Sequence, residues 1–405
     1  MVRRLLAAWE RLPWAELGWL PAAALTAMLG LYRLGAKPIW FDERVSLELA
    51  TGDWAFFADR VIGEQSFAAL HYSLLRLWTT FGQDLYTIRL LSVVFAVASI
   101  PVMFLVARRL AGPGVAVVAT VLLATNALFI RYAQEARSYS LSVLLITLAG
   151  YLLLRLLEAP RRGHWLAYGI SALGALLAHF YAAFVLLVHL AVIVRRGLLS
   201  RRALLGLAVI LAVAAPLGWL VAFGGSPRRF ILPITDVNLL HAVSDLAGGI
   251  TGRETLHGWA YLTAATVGAC LLRPRWSAYF CLAWLTIPWL FVVGGSLLWR
   301  PMLVPRYMIL TLPALVLLAA AGLVAIRPRW LLAVVLVGFL ALSVQGLRWW
   351  YFEAVKGRGQ AELPVAHLSD ATLVANAASE IGRVRVTGYE SKGCISKRIR
   401  IEVVV

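Results

Sequence analysis

Lysine and the acidic side chains are scarce in this chain. Its 405 residues hold four lysines and 20 aspartates and glutamates, and only 14% of all residues are charged. Cysteine is nearly missing too. Three cysteines, at Cys270, Cys281 and Cys394, build no disulfide framework and no paired metal-ligand spacing. There is also no basic groove with interleaved aromatic residues, which excludes a nucleic-acid partner despite the net charge of +18. What fills the chain instead is apolar: 61% hydrophobic residues and a mean hydropathy of +0.81. A soluble domain of this length is rarely so apolar.

The apolar residues come in repeated runs of about 18–22, each long enough to cross a bilayer as a helix. The chain reads as an all-α polytopic membrane protein. Spans are expected near 17–36, 87–107, 114–131, 138–157, 165–180, 181–194, 203–223, 258–272, 277–298, 307–326 and 330–349, about eleven in all. The first follows Arg3, Arg4 and Arg11 and reads as an uncleaved span rather than a removed signal. Further basic residues sit in short clusters between runs: Arg108-Arg109, Arg161-Arg162, Arg195-Arg196 with Arg201-Arg202, Arg273 with Arg275, Arg327 with Arg329. This is the positive-inside pattern, and it puts those loops in the cytoplasm. The protein is accordingly expected in the inner or plasma membrane as a multi-pass chain.

The acids segregate to the other side. Asp42, Glu43, Glu48, Asp53, Asp59, Glu64, Asp84, Glu135, Asp236, Asp245 and Glu254 all fall outside under this topology. The orientation rule gives acids little weight, so a polar cavity on the outer face is the expected reason. The first outer loop, about 37–86, is the longest, and long loops tend to be functional. Within it "SLELATGDWAFFADRVI" and "FAALHYSLLRLWTTF" read as helices lying in the interface plane. Residues 1–350 are thus expected to form one transmembrane domain. Residues 351–405 are a polar extracytoplasmic tail in which "GRVRVTGY" and "RIRIEVVV" alternate as strands do.

Four short stretches carry chemistry at the outer ends of different spans. Asp42-Glu43 follows the first run, either as a solvated helix start with Asp42 as N-cap or as a carboxylate base for an acceptor hydroxyl. "FIRYAQEARSYSL" holds Arg131, Glu135, Arg137 and Tyr139. Arg131 and Glu135 stand at pairing distance in a helix, whereas Arg137 and Tyr139 suit an anionic group such as phosphate. Arg306 and Tyr307 open the tenth span, as interface anchors or as a second phosphate partner. His179 and Tyr181 sit in the tight turn "AHFYAAF". His241 and His257, with Asp236 and Asp245, share an outer loop but fit no metal signature. No metal site is assigned and no cofactor is certain, though a divalent metal fits the chemistry. A carboxylate base with an arginine anion clamp is what transfer from a lipid-linked phospho-sugar requires. The alternative is a lipid or glycan transporter or flippase. Transporters place charges and broken helices near the midplane, and the runs here hold almost no acids there.

The order of these pieces resembles the GT-C glycosyltransferases, in the branch of protein O-mannosyltransferases and lipid A aminoarabinose transferases. The resemblance rests on "WFDE", "HYSLLRLWTTFGQDLYTIRLLSVVFA", "RYAQEARSYSLSVLLITLA", "AHFYAAFVLLVHLAV" and "PRYMILTLPALVLLAA", over roughly 37–320. It implies a GT-C-like helical bundle and an inverting enzyme of the extracytoplasmic face. The donor it implies is a polyprenyl-phosphate-linked sugar, and the acceptor is a hydroxyl of a glycan, lipid or protein among membrane lipids. Carried over onto this chain, Asp42 is the base or acceptor-orienting group with Glu43 beside it. Glu135 and Arg137 match the second motif, and Arg306 and Tyr307 the third. The chain departs from the pattern at "FAALHYSLL", where relatives often show Pro-Pro-Leu-Tyr, and in its short tail.

Overall fold

The computed structural model describes residues 14–62, 68–223, 233–250, 255–354, 384–391 and 397–403. Arg3, Arg4, Arg11, Glu64, Glu254, Cys394 and most of the tail lie outside the described residues. By its contacts the chain divides into two compact units, Met1–Arg348 and Trp349–Val405. In the second, Val384–Ser391 (β1) and Lys397–Val403 (β2) pair as an antiparallel hairpin.

Every regular element among the described residues of the first unit is a helix. After a short turn, α1 (Trp14–Leu17), come α2 (Leu20–Leu31), α3 (Phe41–Thr51), α4 (Trp54–Ile62) and α5 (Ala69–Trp78). Then follow α6 (Leu85–Ala111), α7 (Pro113–Thr125), α8 (Ala127–Ala133), α9 (Tyr139–Glu158), α10 (Arg162–Ala178), α11 (Ala182–Arg195) and α12 (Arg201–Phe223). The unit closes with α13 (Asp236–Leu246), α14 (Leu256–Leu271), α15 (Arg275–Leu298), a 3-10 segment Pro305–Thr311, α16 (Leu312–Val324) and α17 (Arg329–Arg348).

Each apolar run expected to span contains a helix, but the count of eleven is not established. Among the described residues five helices are long and apolar enough to cross a membrane, and six if α7 and α8, bent by 60° against each other, form one span. For two of the expected spans the reason is length. Twelve-residue α2 and fourteen-residue α11 rise only about 18–21 Å, short of a hydrocarbon core of about 30 Å. The two segments read as interfacial helices are also helical, but "SLELATGDWAFFADRVI" breaks at Gly52-Asp53 into α3 and α4. There the Asp53 carboxylate accepts from the Phe56 backbone N–H at 2.8 Å and starts the new helix.

The helix pairs turn at two kinds of end. Arginine clusters occupy the α6–α7, α9–α10, α11–α12, α14–α15 and α16–α17 turns. The opposite ends hold the start of α3, the α8–α9 and α10–α11 turns and the 3-10 segment. At the centre α16 is almost wholly enclosed, whereas α15 and α17 turn large apolar side chains such as Leu290, Leu298, Val337 and Val344 outward. An apolar exterior around a packed interior is what a lipid solvent allows. Helix α14 approaches α16 through Gly268 and Gly322. A Cβ on either would collide with the backbone of the facing helix, at Leu318 and Ala264 respectively. Small residues at a crossing are how membrane helices gain contact area.

Candidate active site

Helix α3 begins with two carboxylates because Glu43 reaches back to its start. The Glu43 Oε2 accepts from the Trp40 backbone N–H at 3.4 Å, so Trp40 rather than Asp42 is the N-cap. Glu43 is 1% exposed, and a buried carboxylate needs compensation. Arg89, one turn into α6, supplies it: its Nε and Nη2 donate to the two Glu43 oxygens at 2.8 and 2.7 Å. The same guanidinium donates to the carbonyls of Leu34, Lys37 and Pro38, so all five of its N–H groups are used. Glu43 Oε1 also accepts from the Ala136 backbone N–H at 3.0 Å. One buried ion pair thus ties the start of α3, the first loop and the α8–α9 turn together.

That tie places the neighbours of Glu43 and Ala136 face to face. Asp42 and Arg137 extend from them, with Asp42 Oδ2 3.9 Å from Arg137 Nη2. Arg306, from the 3-10 segment, brings its Nη2 to 3.9 Å from the same oxygen. The Asp42 side chain remains 24% accessible. Arg137 Nη1 donates to the Asp42 carbonyl at 3.2 Å and to the hydroxyls of Ser46 and Tyr72 at 3.4 and 3.0 Å. The Nε atoms of both Arg137 and Arg306 are buried and lack a hydrogen-bond partner among the described residues. Two guanidinium groups therefore converge on one carboxylate, at a separation looser than a hydrogen-bonded ion pair.

Around this cluster stand the aromatic residues of the other stretches. Tyr307 lies with its ring centroid 4.8 Å from His179, 5.1 Å from Tyr181 and 6.4 Å from Tyr139. Tyr139 and His179 are 5.8 Å apart. The Tyr181 hydroxyl donates to the Met302 carbonyl at 2.7 Å and so pins the α10–α11 turn to the approach of the 3-10 segment. His179 Nδ1 accepts from the Tyr181 backbone N–H at 3.2 Å, which makes it the unprotonated nitrogen. Asp42, Arg137, Tyr139, His179, Tyr181, Arg306 and Tyr307 come from segments far apart in sequence and meet at one end of the bundle.

Two expected residues are held in ion pairs of their own. Glu43 is consumed by Arg89, as above. Glu135 pairs with Arg131 at 3.3 Å, the i,i+4 contact that its spacing allows. His257 is also structural, its Nε2 lying 2.8 Å from the Leu342 carbonyl. No group of three or more metal-ligating side chains forms among the described residues. Sequence reasoning missed Arg89, Ser46 and Tyr72. Arg89 had a signal, being a lone cation inside the apolar run "TIRLLSVV", where a charge needs a partner. Tyr72 sits in the stretch that departs from Pro-Pro-Leu-Tyr. His71 beside it is buried, and burial together with Arg137 drives its pKa down to about 3, the Ala136 backbone pulling the other way.

Residues 69–219 match the family model of dolichyl-phosphate-mannose-protein mannosyltransferases. No curated protein matches the chain in sequence. Among solved structures, the chain is similar to ArnT from Cupriavidus metallidurans in the apo state. The TM-score is 0.54 at 19% identity, over 79% of this chain and 62% of that one. The form of that ArnT bound to undecaprenyl phosphate aligns with TM-score 0.54 and 19% identity over 90% of this chain and 70% of that one. The apo oligosaccharyltransferase of Archaeoglobus fulgidus aligns with TM-score 0.50 and 12% identity over 84% and 56%. This chain therefore spans less than two thirds of the length of the first of these. The multi-pass helical bundle of this chain has the GT-C fold of membrane glycosyltransferases.

Proposed function

We propose that this protein is an inverting glycosyltransferase that moves a sugar from a polyprenyl-phosphate donor to an acceptor hydroxyl on the extracytoplasmic face. The observation that carries the reading is the convergence of Arg137 and Arg306 on Asp42. Two positive charges face one negative charge, and each guanidinium keeps a buried Nε with no partner among the described residues. Such an assembly calls for a second anion, and a phosphate diester supplies it with geometry that arginine matches. ArnT was solved with undecaprenyl phosphate bound, which supports a lipid phosphate as that anion.

The charges then balance through the whole step. Asp42 takes the acceptor proton, the acceptor oxygen attacks the anomeric carbon, and the bond from that carbon to the phosphate oxygen breaks. One displacement inverts the centre, and no covalent enzyme intermediate is needed. The negative charge leaves Asp42 as it is protonated and arrives on the phosphate, which goes from a singly charged diester to a doubly charged monoester. Arg137 and Arg306 therefore hold the leaving phosphate more strongly than the donor, the condition for stabilising the transition state. The ring of Tyr139, His179, Tyr181 and Tyr307 flanks the place where the donor would lie. Glu43 takes no proton in this scheme. Held by Arg89, it positions the segments that carry Asp42 and Arg137. Residues 1–350 carry this activity, with the tail at 351–405 outside the membrane. Mannose, arabinose or aminoarabinose and a protein, lipid or cell-wall glycan acceptor all fit it.

The test is a membrane assay of the purified protein with several polyprenyl-phosphate sugars. One donor is expected to be consumed, with label appearing on an acceptor as the opposite anomer. If lipid instead crosses the bilayer with its sugar intact, the protein is a transporter and this reading is wrong.

A further inference from the structure

At the other end of the bundle, a cavity of about 400 Å³ opens among the ends of α6, α9, α11 and α15. Helix α9 connects the two places: Tyr139 starts it beside Arg137, and Glu158 ends it in the cavity wall. Twenty residues of helix separate them by about 30 Å, so the cavity is no part of the site above. Its lining is of two kinds. Four leucines, among them Leu154 and Leu157, supply an apolar wall, and Arg109, Glu158, Arg196 and Trp276 supply the rest.

The charges do not cancel. Glu158 is shared, with Oε1 3.2 Å from Arg109 Nε and Oε2 3.7 Å from Arg155 Nε. Arg196 has no acidic partner among the described residues, and its guanidinium lies 5.4 Å from the centre of the Trp276 ring. Arg109 is likewise steadied over Tyr151, at 4.6 Å. The site thus combines two arginines set against aromatic rings, an excess of positive charge, a tryptophan and an adjoining leucine wall. Apolar wall and cationic rim together match an amphiphile: an acyl chain on the leucines and a phosphate at the arginines. Basic pockets between membrane helices take up anionic headgroups in this way.

We propose that this cavity binds the phosphate headgroup of an anionic membrane lipid, with Arg196 as its principal contact and Arg109 as the second. The proposal does not depend on the glycosyltransferase reading. It is tested on the purified full chain by native mass spectrometry and thermal melting with phosphatidylglycerol, phosphatidylcholine or inorganic phosphate added. Wild-type protein is expected to retain phosphatidylglycerol over phosphatidylcholine and to melt higher in it. Arg196→Gln is expected to reduce that retention about tenfold, the loss of one charge-assisted contact. Glu158→Gln frees Arg109 and is expected to increase retention, a gain that a misfolded variant could not produce. Equal retention of the two lipids, retention unchanged by Arg196→Gln, or a fall with Glu158→Gln would overturn the site. An equal melting shift with inorganic phosphate would overturn the lipid assignment.

Discussion

Asp42 and Glu43 are chain neighbours of the same chemistry, and each faces arginine, yet their surroundings are opposite. Glu43 and Arg89 form a closed account in hydrogen bonds: every guanidinium N–H is taken, and both carboxylate oxygens are used twice. Asp42 stands 3.9 Å from two guanidiniums that both retain an unused buried Nε. A saturated buried ion pair organises the fold. An unsaturated one with surplus charge is poised for a ligand.

The largest expected effect breaks the saturated member. Arg89→Ala strands a buried carboxylate and three backbone carbonyls, a loss of about 3–5 kcal/mol. In detergent this variant is expected to lose its monodisperse elution and its melting transition. A melting temperature equal to that of wild type would erase the distinction between the two pairs. Next comes the unsaturated member. Asp42→Asn should leave the melting temperature unchanged while lowering sugar transfer by about 10²–10⁴-fold, the range for a general base. Turnover at the wild-type rate would remove Asp42 from the chemistry.

Smaller effects sharpen the contrast. Arg306→Ala and Arg137→Ala are each expected to lower kcat/KM for the lipid-phosphate donor by about 10²–10³-fold, the scale of a lost preorganised donor. Arg137→Lys should fall between, because an ammonium cannot present the planar fork. Steady-state kinetics at varied donor concentration decide it. An Arg306→Ala enzyme with unaltered donor dependence would leave Arg137 without a partner.

A further effect is one of pH. With its folded pKa lowered to about 3 by burial and by Arg137, His71 stays neutral in the native state, while the unfolded chain protonates the ring near about 6.5. Its contribution is complete above that value and is lost as pH falls toward 3, because the unfolded state then binds the extra proton. His71→Phe should therefore flatten the decline in melting temperature between about pH 7 and pH 4. Parallel declines for variant and wild type would contradict this environment.

Much of this was legible before any coordinates. The apolar runs placed the helices, since each needs only its own residues to reveal its length. The arginine clusters separated one set of turns from the other. Asp42, Arg137, Tyr139, His179, Tyr181, Arg306 and Tyr307 stood out because polar groups at the ends of apolar runs are few. Which carboxylate pairs with which arginine was not legible: Glu135 meets Arg131 and Glu43 meets Arg89, and a motif spacing does not reveal which way a side chain turns. The break at Gly52-Asp53 was also missed, since interfacial periodicity continues across it.

What the sequence alone determined is the helical, membrane-spanning character and the short inventory of groups able to do chemistry, because hydropathy and charge are properties of each residue. Only the tertiary structure decided which carboxylate is spent and which is available. That choice rests on hydrogen bonds from Arg89 and Ala136, residues some fifty and ninety positions away from Glu43, and no local pattern encodes such distant partners.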